Sequence, residues 1–316
     1  MKFSKDFKEI KGDASFRKFY RNTKKNSIIV FANKEKTKNL LIYDSINKIL
    51  IKNNIIAPQL LSQNYKKNYI EIQDLGKKTI YQIFSNYKKK QYPIFKKAIN
   101  VLNKIQLVKD KKIKNFKNEF YLIKDYKNKI LLDEANLFSH WYVPKKLDKK
   151  KINIFKTKFN REIKLLLSKL HFKNDTFVHR DFHVSNLIIN SKNQIGLIDN
   201  QDALIGNKAY DLASLIDDVR YKTSNSLKEK VYNYYLMTNK KINADKFKND
   251  YDILSVLRNL KIIGIFMRLA ERDKKRKYLK LIPYAWKIID NRISKNKNLV
   301  NLKFLLETNF PKFITK

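Results

Sequence analysis

Apolar positions come in short runs near the start of this chain and at helical spacing over most of the remainder. Phe16, Lys18 and Tyr20 alternate with Arg17, Phe19 and Arg21 as a strand would, and Ser27 to Ala32 is a strongly apolar strand. Asn39 to Asn53 places Leu40, Tyr43, Ile46 and Leu50 at helical spacing, and Asn68 to Gln73 reads as a further strand. From Thr79 onward the pattern is helical, with Lys88 to Lys90 as a solvated break before Pro93. Lys151 to Leu170 presents Ile152, Phe155, Phe159, Ile163, Leu166 and Leu170 as one apolar stripe, a helix expected to carry a polar loop at its end. Leu187 to Asn190 and Ile195 to Ile198 are short apolar runs joined by a polar break, the signature of an antiparallel hairpin. Leu227 to Met237, Tyr251 to Glu271 and Tyr278 to Ile289 read as closing helices, with Pro283 in a first turn.

At 316 residues and 43% hydrophobic content, the chain is long enough for two lobes, each with its own core. The start, Met1 Lys2 Phe3 Ser4 Lys5 Asp6, has no apolar run behind its charges and so no visible signal peptide. Leu260 to Ala270 is interrupted by Lys261 and Arg268 and is too short to span a bilayer, so a soluble cytoplasmic protein is expected. The absence of cysteine removes disulfides and thiolate chemistry, and with only four histidines it argues against zinc. Any metal should be a hard one held by oxygen. A formal charge of +41 invites a nucleic-acid partner, yet the lysines are spread over nearly every polar segment in company with Asn and Ile. That distribution is the mark of compositional drift on solvated faces, so nucleic acid is not the expected partner, although the charge should attract nucleotides and other anions.

The candidate chemistry sits in His179 Arg180 Asp181 Phe182 His183 Val184 Ser185 Asn186 and in the hairpin that follows, which ends at Asp199. Antiparallel pairing brings Asn186 beside Asp199, and the loop holding Asp181 leads into that same end. A carboxylate, an amide and a second carboxylate facing one space suit phosphoryl transfer from a nucleotide. The protein then supplies oxygen ligands for magnesium and a carboxylate beside the attacking hydroxyl. Asp181 fits the hydroxyl-orienting base, while Asn186 and Asp199 fit the metal ligands. Asp202 is placed to orient a ligand from behind, His179 to fix the loop, and Asp211 to start a helix or receive backbone N–H groups. His183 is a candidate substrate contact or a structural histidine. Within the aromatic segment 116–147, Trp141 and Tyr142 are candidates for stacking on a sugar, or for ordinary packing between helices.

This order and spacing resemble the catalytic loop and metal aspartate of the protein-kinase superfamily, and within it the aminoglycoside phosphotransferase-like group. Gly12 Asp13 Ala14 Ser15 Phe16 Arg17, Gln73 Asp74 Leu75 Gly76, Trp141 Tyr142, the Asp181 loop, Ile198 to Ala203 and Leu260 to Arg272 are similar to the bacterial anomeric kinases. Those enzymes phosphorylate N-acetylmuramate and N-acetylglucosamine at C1 in cell-wall recycling. The resemblance implies an α+β, bilobal protein-kinase-like fold: a small β-rich N-lobe over 1–76, a hinge at 73–76, and a larger helical C-lobe over 77–316. It also implies ATP and Mg2+ as cofactors, with Ser15 and Phe16 in a loop over the phosphates and backbone groups at Gln73 and Leu75 on the adenine edge. Choline, an aminoglycoside or another small alcohol is the alternative acceptor, and an inactive kinase fold that binds nucleic acid is the alternative function. The absence of an Ala-Pro-Glu segment after Asp199 argues against a protein substrate.

Three positions depart from the pattern. No valine-alanine-isoleucine-lysine string closes the strand at Phe31 Ala32 Asn33 Lys34, so the cation that meets the phosphates is left open among Lys34, Arg17 and Lys18. Asn200 stands where the branch usually has Phe, which predicts a missing apolar anchor behind the metal site. Asn207 stands where it usually has Pro after Gly206, which predicts a looser turn.

Overall fold

A computed structural model of the chain describes residues 6–10, 17–33, 35, 38–86 and 91–313. Ser15, Phe16, the Gly12 turn, Lys34 and the Lys88–Lys90 break lie outside the described residues. The chain forms two compact units, 1–124 with 177–204, and 125–176 with 205–316.

The first unit is built on a five-stranded antiparallel sheet of β1 (Phe7–Ile10), β2 (Arg17–Asn22), β3 (Ser27–Ala32), β4 (Leu60–Asn64) and β5 (Tyr69–Gln73), in the order β1-β2-β3-β5-β4. The expected strands and the helix α1 (Asn39–Lys52) are all present. Alternation explains the sheet's inner face: Val30, Ala32, Ile70 and Ile72 close over Leu40 and Tyr43 of α1 and form its core. Opposite Ala32 in the β2–β3 register stands Arg17. Helices α2 (Ile80–Asn86) and α3 (Gln91–Gln106) follow, then the small ladder of β6 (Lys112–Lys114) and β7 (Phe120–Leu122). The chain leaves for the second unit and re-enters through β8 (Thr176–Val178).

What re-enters is the polar loop and its hairpin, β9 (Leu187–Ile189) and β10 (Ile195–Leu197), paired Leu187 to Leu197 as expected. Backbone bonds sew it to its own unit: Leu197 N–H donates to Ile56 O at 2.8 Å, Ile189 N–H to Lys78 O at 3.3 Å and Tyr81 N–H to Val184 O at 2.9 Å. Gly196 permits the approach, since a Cβ there would lie 2.8 Å from Leu75 Cδ1. Compactness therefore groups residues differently from lobes split at residue 76, because 77–124 and 177–204 are bonded into the unit that holds the sheet. The helix expected to lead straight into the loop, α5 (Lys149–Ser168), ends earlier, and β8 stands between.

The second unit is helical: α4 (Asn128–Leu137), a π-turn at Phe138–Tyr142, α5, then α6 (Ala209–Ile216), α7 (Asn225–Thr238), α8 (Ala244–Glu271), α9 (Ile282–Ile293) and α10 (Val300–Asn309), with β11 (Leu204–Gly206) at its entry. Ser224 and Asn243 cap α7 and α8 by accepting Leu227 N–H and Lys246 N–H. From Phe247 on, α8 is almost entirely buried, and it crosses the end of α4 at Gly264, where a Cβ would stand 2.3 Å from the Leu137 carbonyl carbon. Asp217, between α6 and α7, holds two of the polar residues of α8, accepting Ser255 Oγ at 2.7 Å and Tyr251 OH at 3.2 Å, and also accepts Lys228 Nζ of α7 and Arg292 Nε of α9, each at 2.8 Å.

The turn at Asn207 is not loose. Its Nδ2 donates to Asp250 Oδ2 at 2.7 Å and Phe172 O at 3.1 Å, and its Oδ1 accepts Ala209 N–H at 3.0 Å at the head of α6. The side-chain bonds supply the rigidity a proline ring would have given. Asp211 lies buried in the first turn of α6, where its charge favours the helix N-terminus. Among the described residues, no helix is long and apolar enough to cross a membrane.

Candidate functional site

The candidate residues Asp181, Asn186, Asp199, Asp202, His179 and His183 all belong to the first unit. Backbone bonds set the loop's shape: His183 N–H donates to Asp181 O, and Asn186 N–H to His183 O, each at 2.9 Å. Asn186 Nδ2 donates to Asp181 O at 3.0 Å, which ties the amide to the loop. The amide nitrogen is thereby occupied, and Oδ1 is the atom left for a hard cation. Ile198 N–H donates to Asn186 O at 3.1 Å, which seats Asp199 at the Asn186 end of the hairpin.

Arg180 and Asp199 hold left-handed backbones, φ 73° and 66°. Such conformations cost energy in non-glycine residues and persist where the surroundings over-determine them. At Asp199 the determinant is visible. Oδ1 of Asp199 accepts the Arg17 guanidinium and Gln201 Nε2, the latter at 3.2 Å. Gln201 Oε1 accepts Arg17 Nη1 at 2.7 Å, and its Nε2 also donates to Asp202 Oδ2 at 2.7 Å. Arg17, Gln201, Asp199 and Asp202 are thus one network, with Asp202 reaching Asp199 through the Gln201 amide. Oδ2 of Asp199 has no hydrogen-bond partner among the described residues, and the side chain is 36% exposed. One oxygen from Asp199 and one from Asn186 suit a magnesium site whose remaining ligands are phosphate and water. Among the described residues no group of three or more His, Cys, Asp or Glu is placed to hold a metal ion.

His179 is fully buried. Its Nε2 faces two acceptors, Ile198 O at 3.2 Å and Asn200 Oδ1 at 2.8 Å, while its Nδ1 receives Asp181 N–H at 3.3 Å. With acceptors at Nε2 and a donor at Nδ1 the pattern suits a proton on Nε2, and the ring fixes the loop as expected. Asn200 is a polar anchor where the sequence led to the expectation of a missing apolar one. It too is fully buried, and its Nδ2 donates to Asn47 Oδ1 at 2.8 Å and Leu197 O at 3.2 Å. Asn47 Nδ2 in turn donates to Pro58 O at 3.0 Å. A polar chain from α1 to the loop occupies the place of an apolar ring.

Gln73 and Leu75 are also in this unit. Gln73 N–H is spent on Gln59 O at 2.8 Å, so that donor does not serve a ligand. The Leu75 backbone has no hydrogen-bond partner among the described residues, and it remains the group able to meet a purine edge. Its loop is braced by Asp74, which receives the Arg21 guanidinium and Gly76 N–H, the latter at 2.9 Å; Arg21 also donates to Gly76 O at 3.0 Å. Gly76, φ 139°, takes a backbone that other residues rarely adopt.

His183 is 4% exposed, placed for a structural part. Trp141 and Tyr142 lie in the second unit and do not share one environment. Tyr142 is 1% exposed, stacks on Phe138 at 5.2 Å and accepts Trp286 Nε1 at 3.2 Å; burial pushes its hydroxyl pKa up. Its ring is spent in the core, for which aromatic rings at helix spacing are suited, and only Trp141 keeps solvent access. Gln201, Asn47 and the Arg21–Asp74 pair were not legible as site residues, since nothing in their local strings marks them. The adjacency of Gln201 to Asp199 and Asp202 was the one available signal.

Residues 6–244 match the family model described as the phosphotransferase enzyme family. The N-acetylmuramate/N-acetylglucosamine kinase of Pseudomonas putida is 26% identical over 301 residues, covering 93% of this chain and 85% of that protein. A choline/ethanolamine kinase family protein from Mesorhizobium loti shares the fold with TM-score 0.63 at 11% identity, over 96% of this chain and 93% of its own. The GDP and kanamycin complex of APH(2")-IIia shares it with TM-score 0.61 at 13% identity, over 92% and 94%. These likenesses identify the architecture as the kinase-like α+β fold. The family match takes in every candidate residue from Ser15 to Asp202 and draws on both compact units, and by it the chain belongs to the phosphotransferase enzymes.

Proposed function

We propose that this enzyme transfers the terminal phosphoryl group of ATP to C1 of an amino sugar of the N-acetylmuramate or N-acetylglucosamine type, a reaction that suits cell-wall recycling. The observation that carries the reading is the pairing of an occupied Asn186 Nδ2 with an available Oδ1, beside an Asp199 whose Oδ2 is also available. Relatives named N-acetylmuramate/N-acetylglucosamine kinase, at about a quarter identity over most of the chain, support the acceptor class. Asp181 accepts or orients the proton of the attacking hydroxyl, and His179 holds the loop that presents it. Asn186 and Asp199 would hold Mg2+, which supplies positive charge against the phosphate oxygens. Leu75 meets the purine edge of the nucleotide. The surplus of lysine and arginine favours the approach of anionic substrates generally.

A panel of N-acetylmuramate, N-acetylglucosamine, an aminoglycoside, choline and ethanolamine, each with ATP and Mg2+, tests the acceptor by mass spectrometry. Saturable transfer to an amino sugar with loss of its reducing-end reactivity is expected, because a phosphate on C1 blocks ring opening. A phosphosugar that remains reducing would place the phosphate elsewhere. Transfer to choline or an aminoglycoside alone would overturn the acceptor assignment and leave the phosphotransferase chemistry standing. Salt-sensitive RNA binding without any ATP turnover would favour the nucleic-acid reading instead.

A further inference from the structure

Phosphoryl transfer needs a fixed positive side chain on the nucleotide's phosphates, and the strand that would usually carry it is apolar from Ser27 to Ala32. The charge is found one strand across. Arg17, at the head of β2, pairs with Ala32 in register, and its side chain is only 4% exposed. The guanidinium packs over Phe19 and Tyr43, 5.5 and 5.7 Å from the ring centroids, and one of its nitrogens is fixed by Gln201 Oε1. Tyr43 cannot compete as an anion, because burial pushes its pKa up to about 12. A second guanidinium nitrogen reaches Asp199, the candidate metal ligand. Lys18, the neighbour on the same strand, is exposed on the opposite side of the alternation.

We propose that Arg17 is the phosphate-positioning cation of this enzyme, delivered from β2 in place of a lysine on β3, and that Asp199 is its partner until nucleotide arrives. A largely buried guanidinium is held in place by charge-assisted bonds, and its fork suits two phosphate oxygens as well as it suits a carboxylate. Asp199 and phosphate therefore compete for Arg17. A nucleotide phosphate that takes the guanidinium releases Asp199 Oδ1 for a cation, so phosphate binding and metal binding are coupled through one side chain. This inference rests on the phosphoryl-transfer reading of the site and adds the residue that reading left open.

Calorimetry in EDTA with ADP and with adenosine as probes tests it without catalysis. Arg17→Met should weaken ADP binding by about tenfold or more, the scale of a lost charge-assisted contact, and leave adenosine binding unchanged. Arg17→Lys should recover part of the loss. Asp199→Asn should tighten metal-free ADP binding by removing the competitor, and this arm carries the test should Arg17→Met fail to fold. Equal losses for ADP and adenosine would make Arg17 a structural residue and overturn the inference. So would wild-type ADP affinity in Arg17→Met, undetectable ADP binding by the wild type, or an ADP-specific loss in Lys34→Met instead. Arg17-dependent ADP binding without transfer to any sugar would sink the acceptor assignment alone. Sugar phosphorylation with Arg17-independent ADP binding would sink this one alone.

Discussion

Two aspartates, one in each compact unit, meet arginine in opposite ways. Asp217 is fully buried, and both of its oxygens are taken by Lys228, Arg292, Ser255 and Tyr251. Asp199 is 36% exposed, spends one oxygen on Arg17 and Gln201, and keeps the other. Two cations offset the cost of burying Asp217, so the group joins α7, α8 and α9 and has no capacity left for a ligand. Asp199 has a spare lone pair, a competing partner and a strained backbone, which are the attributes of a group that changes partners. Saturation of hydrogen-bonding capacity, more than the presence of charge, separates a structural carboxylate from a working one.

The sharpest way to break this comparison is to remove the reacting carboxylate. Asp181→Ala is expected to lower kcat by about 10²–10⁴ while nucleotide affinity and thermal stability hold. Near-wild-type turnover in that variant would remove Asp181 from the chemistry.

Asp217→Ala should do the reverse. It leaves Lys228 and Arg292 buried without their carboxylate and should cost about 3–5 kcal/mol of stability in chemical denaturation, with ATP affinity preserved in the folded fraction. Asp199→Asn, which retains a hydrogen-bonding oxygen beside Arg17, should cost only about 1 kcal/mol. Equal losses at the two sites would erase the distinction. Acid sharpens it further. Burial alone would raise the Asp217 carboxyl pKa, but Arg292 and Lys228 outweigh burial and hold it well below the ordinary carboxylate range. A depressed acid contributes stability above its unfolded pKa and loses it as pH falls toward the folded one. The gap between wild type and Asp217→Asn should therefore stay constant from pH 7 to about 5 and narrow below about pH 4. A gap that closes between pH 7 and 6 would contradict the pairing.

A smaller effect than at Asp217 is expected where a polar anchor takes the place of an apolar one. Asn200→Ala leaves His179 and Asn47 each short of a buried partner and should cost about 1–3 kcal/mol, read as a lowered midpoint in urea. Turnover should fall with it, because the same ring holds the Asp181 loop. A neutral result would mean that the chain from α1 to the loop has no part in seating it.

Period and punctuation in the sequence were enough to place β3, α1, β5, the β9–β10 hairpin and the long helices, because one face of each is apolar at the matching spacing. The carboxylate, amide and carboxylate around the hairpin were legible for the same reason, since antiparallel pairing joins the two ends of a short strand pair whatever surrounds it. The short β4, β6 and β7 were not, since three to five residues are too few to display a period, and neither was the final helix α10, whose apolar residues are spread around it with only Leu302 and Leu306 buried. Asn200 and Asn207 read as losses when compared with a pattern of Phe and Pro. Only the fold supplied their partners, Asn47 across 153 positions and Asp250 across 43. Arg17 was one of three open candidates, separated from Asp199 by 182 positions. Local spacing governs which backbone forms, because helix and strand depend on neighbours along the chain. Which polar group satisfies which depends on distances between remote segments, and these exist only after the chain has folded.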